Sequence, residues 1–107
     1  MARLSSYPDI DAIAARLEAL GNSTRLQALR ILVRAAEGGL AVGQLQHRLG
    51  GVAGSTLSHH LQRLTAVGLV RQERQGATLL CRADVRIIAA VIRFLTEECS
   101  ADVDPTR

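Results

Sequence analysis

The stretch GGVAGSTLSHHLQRL at residues 50–64 decides the fold. Gly50, Gly51, Ala53 and Gly54 are small and conformationally loose, so residues 50–54 predict a turn rather than helix. Leu57, Leu61 and Leu64 then recur at helical spacing and Gly68 supplies a stop, which predicts a helix over about 55–67 started by Ser55 or Gly54. If the leucines face inward, Ser55, Ser58, His59, Gln62 and Arg63 share the opposite side within about two turns. These are short or forked hydrogen-bonding groups with no acid among them, whereas an ordinary solvated helix face mixes Glu with Lys or Arg. The face therefore reads as one that meets base edges and phosphates.

Working outward, Val42, Leu45 and Leu49 predict a short helix over about 42–49 just before the turn. A longer helix over about 25–37, capped by Ser23 or Thr24, carries the broad apolar set Leu26, Leu29, Ile31, Leu32 and Val33 and ends at Gly38-Gly39. Before it, Ile10, Ile13, Ala14, Leu17 and Leu20 form an amphipathic helix over 9–20 that Gly21-Asn22 stops. Downstream, residues 69–73 and 78–82 flank Arg74-Gln75-Gly76-Ala77. They predict a β-hairpin with Gly76 at positive φ and Arg71, Arg74 and Gln75 near its tip. Asp84 is a good cap for a last helix reaching about Glu98, whose Ile87, Ile88, Val91, Ile92 and Leu95 cover an arc wider than one core contact needs. Residues 100–107 read as a polar, frayed tail. Helix, glycine-rich turn, helix and hairpin in this order make a mostly α fold with a β-hairpin wing. It is a winged helix-turn-helix, ααααββα, forming a single domain over residues 1–107, with the helix after the turn placed in the DNA major groove.

At 107 residues, 48% hydrophobic and 21% charged, the chain matches one compact domain, too short for a two-domain enzyme. The longest apolar run, Ile87 to Ile92, falls far short of a membrane span, and no signal-peptide stretch follows Met1, so a cytoplasmic protein without membrane contact is expected. All 13 basic residues are arginine, each able to fork onto phosphate. Their distribution says more than the net charge of +3. Residues 25–82 hold eight Arg against Glu37 and Glu73, a net of +6, while the segments on either side are net acidic. A basic middle with acidic ends fits a chain that meets a polyanion with its centre. No Ser, His and acid grouping, phosphate loop or paired carboxylates suggest catalysis.

ALGNSTRLQALRIL at 19–32, STLSHHLQRL at 55–64 and AVGLVR at 66–71 together closely resemble the ArsR/SmtB family of bacterial repressors, and the resemblance spans residues 10–98. It implies a homodimer built from the first and last helices, reading residues at Ser55, Thr56, Ser58 and His59, and release from an operator when an inducer binds. Ile10, Ile13 and Leu17 with Ile88, Val91, Ile92 and Leu95 are the expected dimer contacts, since neither stripe can be covered within a chain of this length. Two-fold symmetry would make the operator double-stranded DNA with an imperfect inverted repeat. The turn at 50–54 is one residue longer than the family's usual turn, which leaves the start of the reading helix open.

The inducer is less legible. Where arsenic-sensing members carry Cys-Val-Cys-Asp, this chain has Ala41-Val42-Gly43-Gln44. Of the zinc set on the last helix only Asp84 survives, with Arg86, Glu97 and Ser100 at the other positions. Adjacent His59 and His60 diverge by about 100° on a helix and His47 sits on another element, so no metal site is rebuilt. His60 reads as a packing or capping residue. Cys81 and Cys99 remain as candidate inducer or redox residues for trivalent arsenic or another thiophilic species, with core packing the simpler role for Cys81. No cofactor is required. Two alternatives stay open: a winged-helix module that binds another protein instead of an operator, and a repressor of this family without metal or thiol sensing.

Overall fold

The computed structural model describes residues 10–97. The first helix, α1 (Ile10–Ala19), is followed by α2 (Ser23–Ala35), which starts earlier than Ser23 or Thr24 capping would allow. Asn22, in extended backbone, is the cap: its side-chain oxygen accepts from the Arg25 amide at 3.0 Å. The buried face of α2 is Arg25, Ala28, Leu29 and Leu32, while Leu26 and Val33 stand 44% and 40% exposed. One helix can press only one arc into a core, so the broad apolar set expected of this helix divides between inside and outside.

A 3-10 turn at Ala36–Gly38 shortens the helix and leads through Gly39 into a two-residue strand, β1 (Leu40–Ala41). Gly39 has no room for a side chain, because a Cβ there would lie 2.6 Å from the Cys81 carbonyl oxygen. Helix α3 (Val42–Arg48) begins with the Gln44 side chain accepting from the Ala41 amide at 2.9 Å. Gly50 and Gly51, at φ 85° and 82°, then turn the chain, and Gln46 Nε2 ties the turn by donating to the Val52 carbonyl at 2.7 Å. With the reversal finished by Ala53, helix α4 (Gly54–Ala66) takes Gly54 as its first residue, which fixes the start of the reading helix.

Strands β2 (Val70–Gln75) and β3 (Thr78–Ala83) form the hairpin, closed by the two-residue loop Gly76-Ala77. Only the first loop residue has positive φ, at 63°, which meets the requirement of a II′ turn and matches the role expected of Gly76. β1 pairs with β3, so the wing belongs to a three-stranded antiparallel sheet of order β1-β3-β2. The short third strand has too little sequence to show a period. Helix α5 (Val85–Thr96) is capped as expected, Asp84 Oδ1 accepting from the Arg86 and Ile87 amides at 3.1 and 3.3 Å.

The core gathers Leu29 and Leu32 of α2, Leu45 of α3, Leu57, Leu61 and Leu64 of α4, and Leu40, Val70 and Cys81 of the sheet. Its effect is to seat α4 with three leucines inward and the rest of its surface outward. No helix among the described residues is long and apolar enough to cross a membrane. The tail at 100–107 lies outside the described residues.

Candidate nucleic-acid interface

Burying Leu57, Leu61 and Leu64 orients everything else on α4. Ser55, Thr56, Ser58, His59, Gln62 and Arg63 are all exposed, on the side opposite the leucines, as their spacing requires. Ala53 precedes the helix in extended backbone and no side chain caps it. The first amides of α4 thus have no side-chain cap and are left for another acceptor, as an arriving phosphate would need.

The hairpin stands beside this face. Ser58 and Gln62 line a crevice of about 480 Å³ together with Gln72, Thr78 and Leu79 of the hairpin. Arg74 alternates with Gln72 along β2 and so lies on the side of the hairpin turned toward α4, whereas Gln75, paired with Thr78 at the loop, lies on the other side. Both are exposed and both flank the tip. Arg71 differs from its expected place. It pairs with Arg82 at the base of the hairpin and its Nε stands 3.7 Å from Asp84 Oδ2, so it reaches the cap of α5 and not the wing tip. The cause is length: β2 runs to Gln75, which puts Arg71 near the start of the strand.

The basic middle also divides. Arg82 donates to the Glu37 carbonyl at 2.7 Å and pairs with Glu73, and Arg25 is buried, so these two cations hold the fold together. Arg63 and Arg74 remain exposed at the candidate interface, with Arg48 exposed at the end of α3. The composition could not separate these roles. A signal for Arg25 did exist, since it falls in helical phase with Ala28, Leu29 and Leu32 on the buried face of α2.

The expected dimer stripes are partly covered within the chain itself. Ile13 and Val91 are buried, Ile10 and Ile88 are half-buried, and Leu17, Ile92 and Leu95 are 40%, 56% and 51% exposed. The uncovered apolar surface of α1 and α5 is thus narrower than the sequence pattern suggests.

Of the two cysteines, Cys81 sits on β3 opposite Leu40 and Gln72 with no exposed surface. Burial pushes its thiol above the ordinary value, against a smaller downward pull from Gln72, whose amide donates to the sulfur at 3.6 Å. That is the setting of a packing cysteine. Cys99 lies outside the described residues. His47, His59 and His60 form no metal set, and no cluster of metal-ligating side chains occurs among the described residues.

Residues 20–73 match a family model described as a helix-turn-helix domain. The nodulation protein NolR of Rhizobium meliloti is 31% identical over 98 residues, covering 92% of this chain and 77% of that protein. An ArsR-like transcriptional regulator from Rhodococcus sp. RHA1 superposes with a TM-score of 0.74 at 26% identity over 89% of this chain and 85% of that one. A homodimeric winged helix-turn-helix DNA-binding domain from Mycobacterium bovis superposes with a TM-score of 0.68 at 27% identity, covering 97% and 91%.

Proposed function

The chain belongs to the ArsR family of winged helix-turn-helix, DNA-binding transcriptional regulators, which are not enzymes, and from that membership we propose that it acts as an operator-binding repressor dimer. The single observation that carries the proposal is the outward face of α4. Six exposed polar residues without an acid, presented by a helix that buries three leucines, suit base edges and phosphates. Ser55, Thr56, Ser58, His59 and Gln62 are the candidate base readers, and Arg63 with the wing residues Arg74 and Gln75 are candidate backbone contacts. Arg71 is left to a rim contact at most, because Asp84 already faces it.

The dimer is supported by Leu17, Ile92 and Leu95 standing exposed on α1 and α5, and by the homodimeric state of the Mycobacterium bovis relative. Two copies related by a two-fold axis would present two α4 helices about one DNA turn apart, hence an inverted-repeat operator. Release by an inducer follows the family pattern, and Cys99 is the thiol through which a thiophilic species such as trivalent arsenic would act. A repressor without thiol sensing is favoured by one observation, the burial of Cys81, which leaves no second accessible thiol among the described residues. Comparing operator binding of wild type, Cys81→Ser and Cys99→Ser with and without trivalent arsenic decides between the two; an identical response in all three removes the cysteines from the switch.

The deciding test of the function is a salt titration of binding to the DNA upstream of the chain's own gene, run beside random DNA. A steep fall of affinity with salt, together with a cognate preference of about a thousandfold or more, is the expected result. Absence of binding even at low salt would instead favour a module that reads another protein.

A further inference from the structure

Arg25 is the one buried charged side chain among the described residues, and no carboxylate neutralises it. Its Nε donates to the Ala19 carbonyl at the end of α1 at 2.6 Å, and its Nη1 lies 3.1 Å from Nδ1 of His60 on α4. A guanidinium only donates, so Nδ1 must accept, and His60 must be neutral with its proton on Nε2. One side chain of α2 therefore ties the end of α1 to the middle of the reading helix. A second tie lies nearby, where Arg16 of α1 donates to the Val67 carbonyl at the end of α4 at 2.9 Å. Otherwise α4 is seated on leucines, which fix its depth but resist sliding and rotation poorly because apolar contact is non-directional.

We propose that Arg25 is a positioning residue for DNA reading: its hydrogen bond to neutral His60 holds α4 against the α1–α2 corner, and protonation of His60 releases the helix and weakens sequence-specific binding. The proposal rests on the reading of α4 as the DNA-recognition helix. The groups around His60 all oppose its protonation. Arg25 faces it from α2, His59 (ring centroids 6.4 Å apart) and Arg63 flank it on its own helix, and α1 contributes the Ala19 carbonyl that already engages Arg25. Burial first, then Arg25, His59 and Arg63, hold its imidazole below the ordinary 6.5. The folded chain thus prefers neutral His60 more than the unfolded chain does. The contact contributes fully above the ordinary value and is lost as pH falls through the lowered one.

Two measurements test the latch. The first is side-chain NMR of free wild-type protein, titrating His60 from about pH 8 to about pH 5. It should show the Nε2–H tautomer and a titration below that of a free imidazole, and the titration should move upward in Arg25→Gln. The second follows binding to cognate and random DNA over the same range. The wild-type preference for cognate DNA should fall by about tenfold or more at the acid end. His60→Gln, whose amide oxygen can accept from Arg25 at any pH, should give a flat ratio, and His59→Gln should still show the fall. An Nδ1–H tautomer, an ordinary His60 titration, or a His60→Gln ratio that falls like wild type overturns the proposal. If wild type binds no DNA at any pH, the DNA reading fails by itself while the NMR titration still decides whether the latch exists.

Discussion

Cys81 and His59 show how far a residue's type leaves its role open until its neighbours are known. Cys81 has no exposed surface and a thiol pushed up by burial, so native protein should react with a thiol reagent at this position only after unfolding. Peptide mapping after brief labelling in buffer and in denaturant checks this, and rapid native modification would contradict the packing role. His59 is exposed on the outer side of α4, with Ser58 beside it. Ser58→Ala and His59→Ala should each cost about 1 to 3 kcal/mol on cognate DNA and little on random DNA, while Arg74→Ala at the wing should weaken both. Paired titrations on the two DNAs separate the cases. The leucines of α4 and the Asp84 cap could be read from the sequence because each obeys a local rule of spacing or capping. The Arg82–Glu73 pair and the Arg71–Asp84 approach could not, since they depend on the exact strand register, and the helical phase of Arg25 shows its burial but not its partners Ala19 and His60, which the packing of α1 and α4 supplies.

Among the elements, the join between α2 and β1 carries the clearest local strain. Ala36 has φ 60° and ψ −150°, backbone that glycine adopts freely and alanine only under strain. Relief of this strain in Ala36→Gly should outweigh the added freedom of the unfolded chain and raise stability by about 1 kcal/mol, visible as a higher melting temperature, and an unchanged or lower one would contradict it. At the other end of the sheet, Asp84 caps α5 and faces Arg71. Asp84→Ala should lower stability by about 1 kcal/mol in denaturant unfolding, with Asp84→Asn, which keeps the capping oxygen, recovering most of it. Helix positions were largely legible because apolar residues recur at three- and four-residue spacing along each of them. The cap at Asn22 and the strand at Leu40–Ala41 were not. Ser23 and Thr24 are equally good cap residues on paper, and two residues cannot display an alternation.

For the molecule as a whole, the apolar surface left on α1 and α5 is where the proposed dimer would form. Leu17, Ile92 and Leu95 are exposed in the single chain, so Ile92→Asp together with Leu95→Asp should give a monomer by sedimentation. Operator affinity should then fall on the order of a hundredfold, because each half-site would bind alone. The fold class followed from the order of elements and the glycine turn, whereas which members of the apolar stripes stay uncovered needed the packed chain. Ile13 and Val91, which belong to those stripes, turn out to be covered within their own chain. One feature of the hairpin bears on how such a protein diversifies. Its tip is a two-residue loop whose Gly76 has open space around it, flanked by exposed Arg74 and Gln75. Descendants can lengthen or recompose that tip without disturbing a single leucine beneath it. The outward residues of α4 share that freedom, so both surfaces proposed to meet DNA can vary while the three leucines that seat the helix stay fixed.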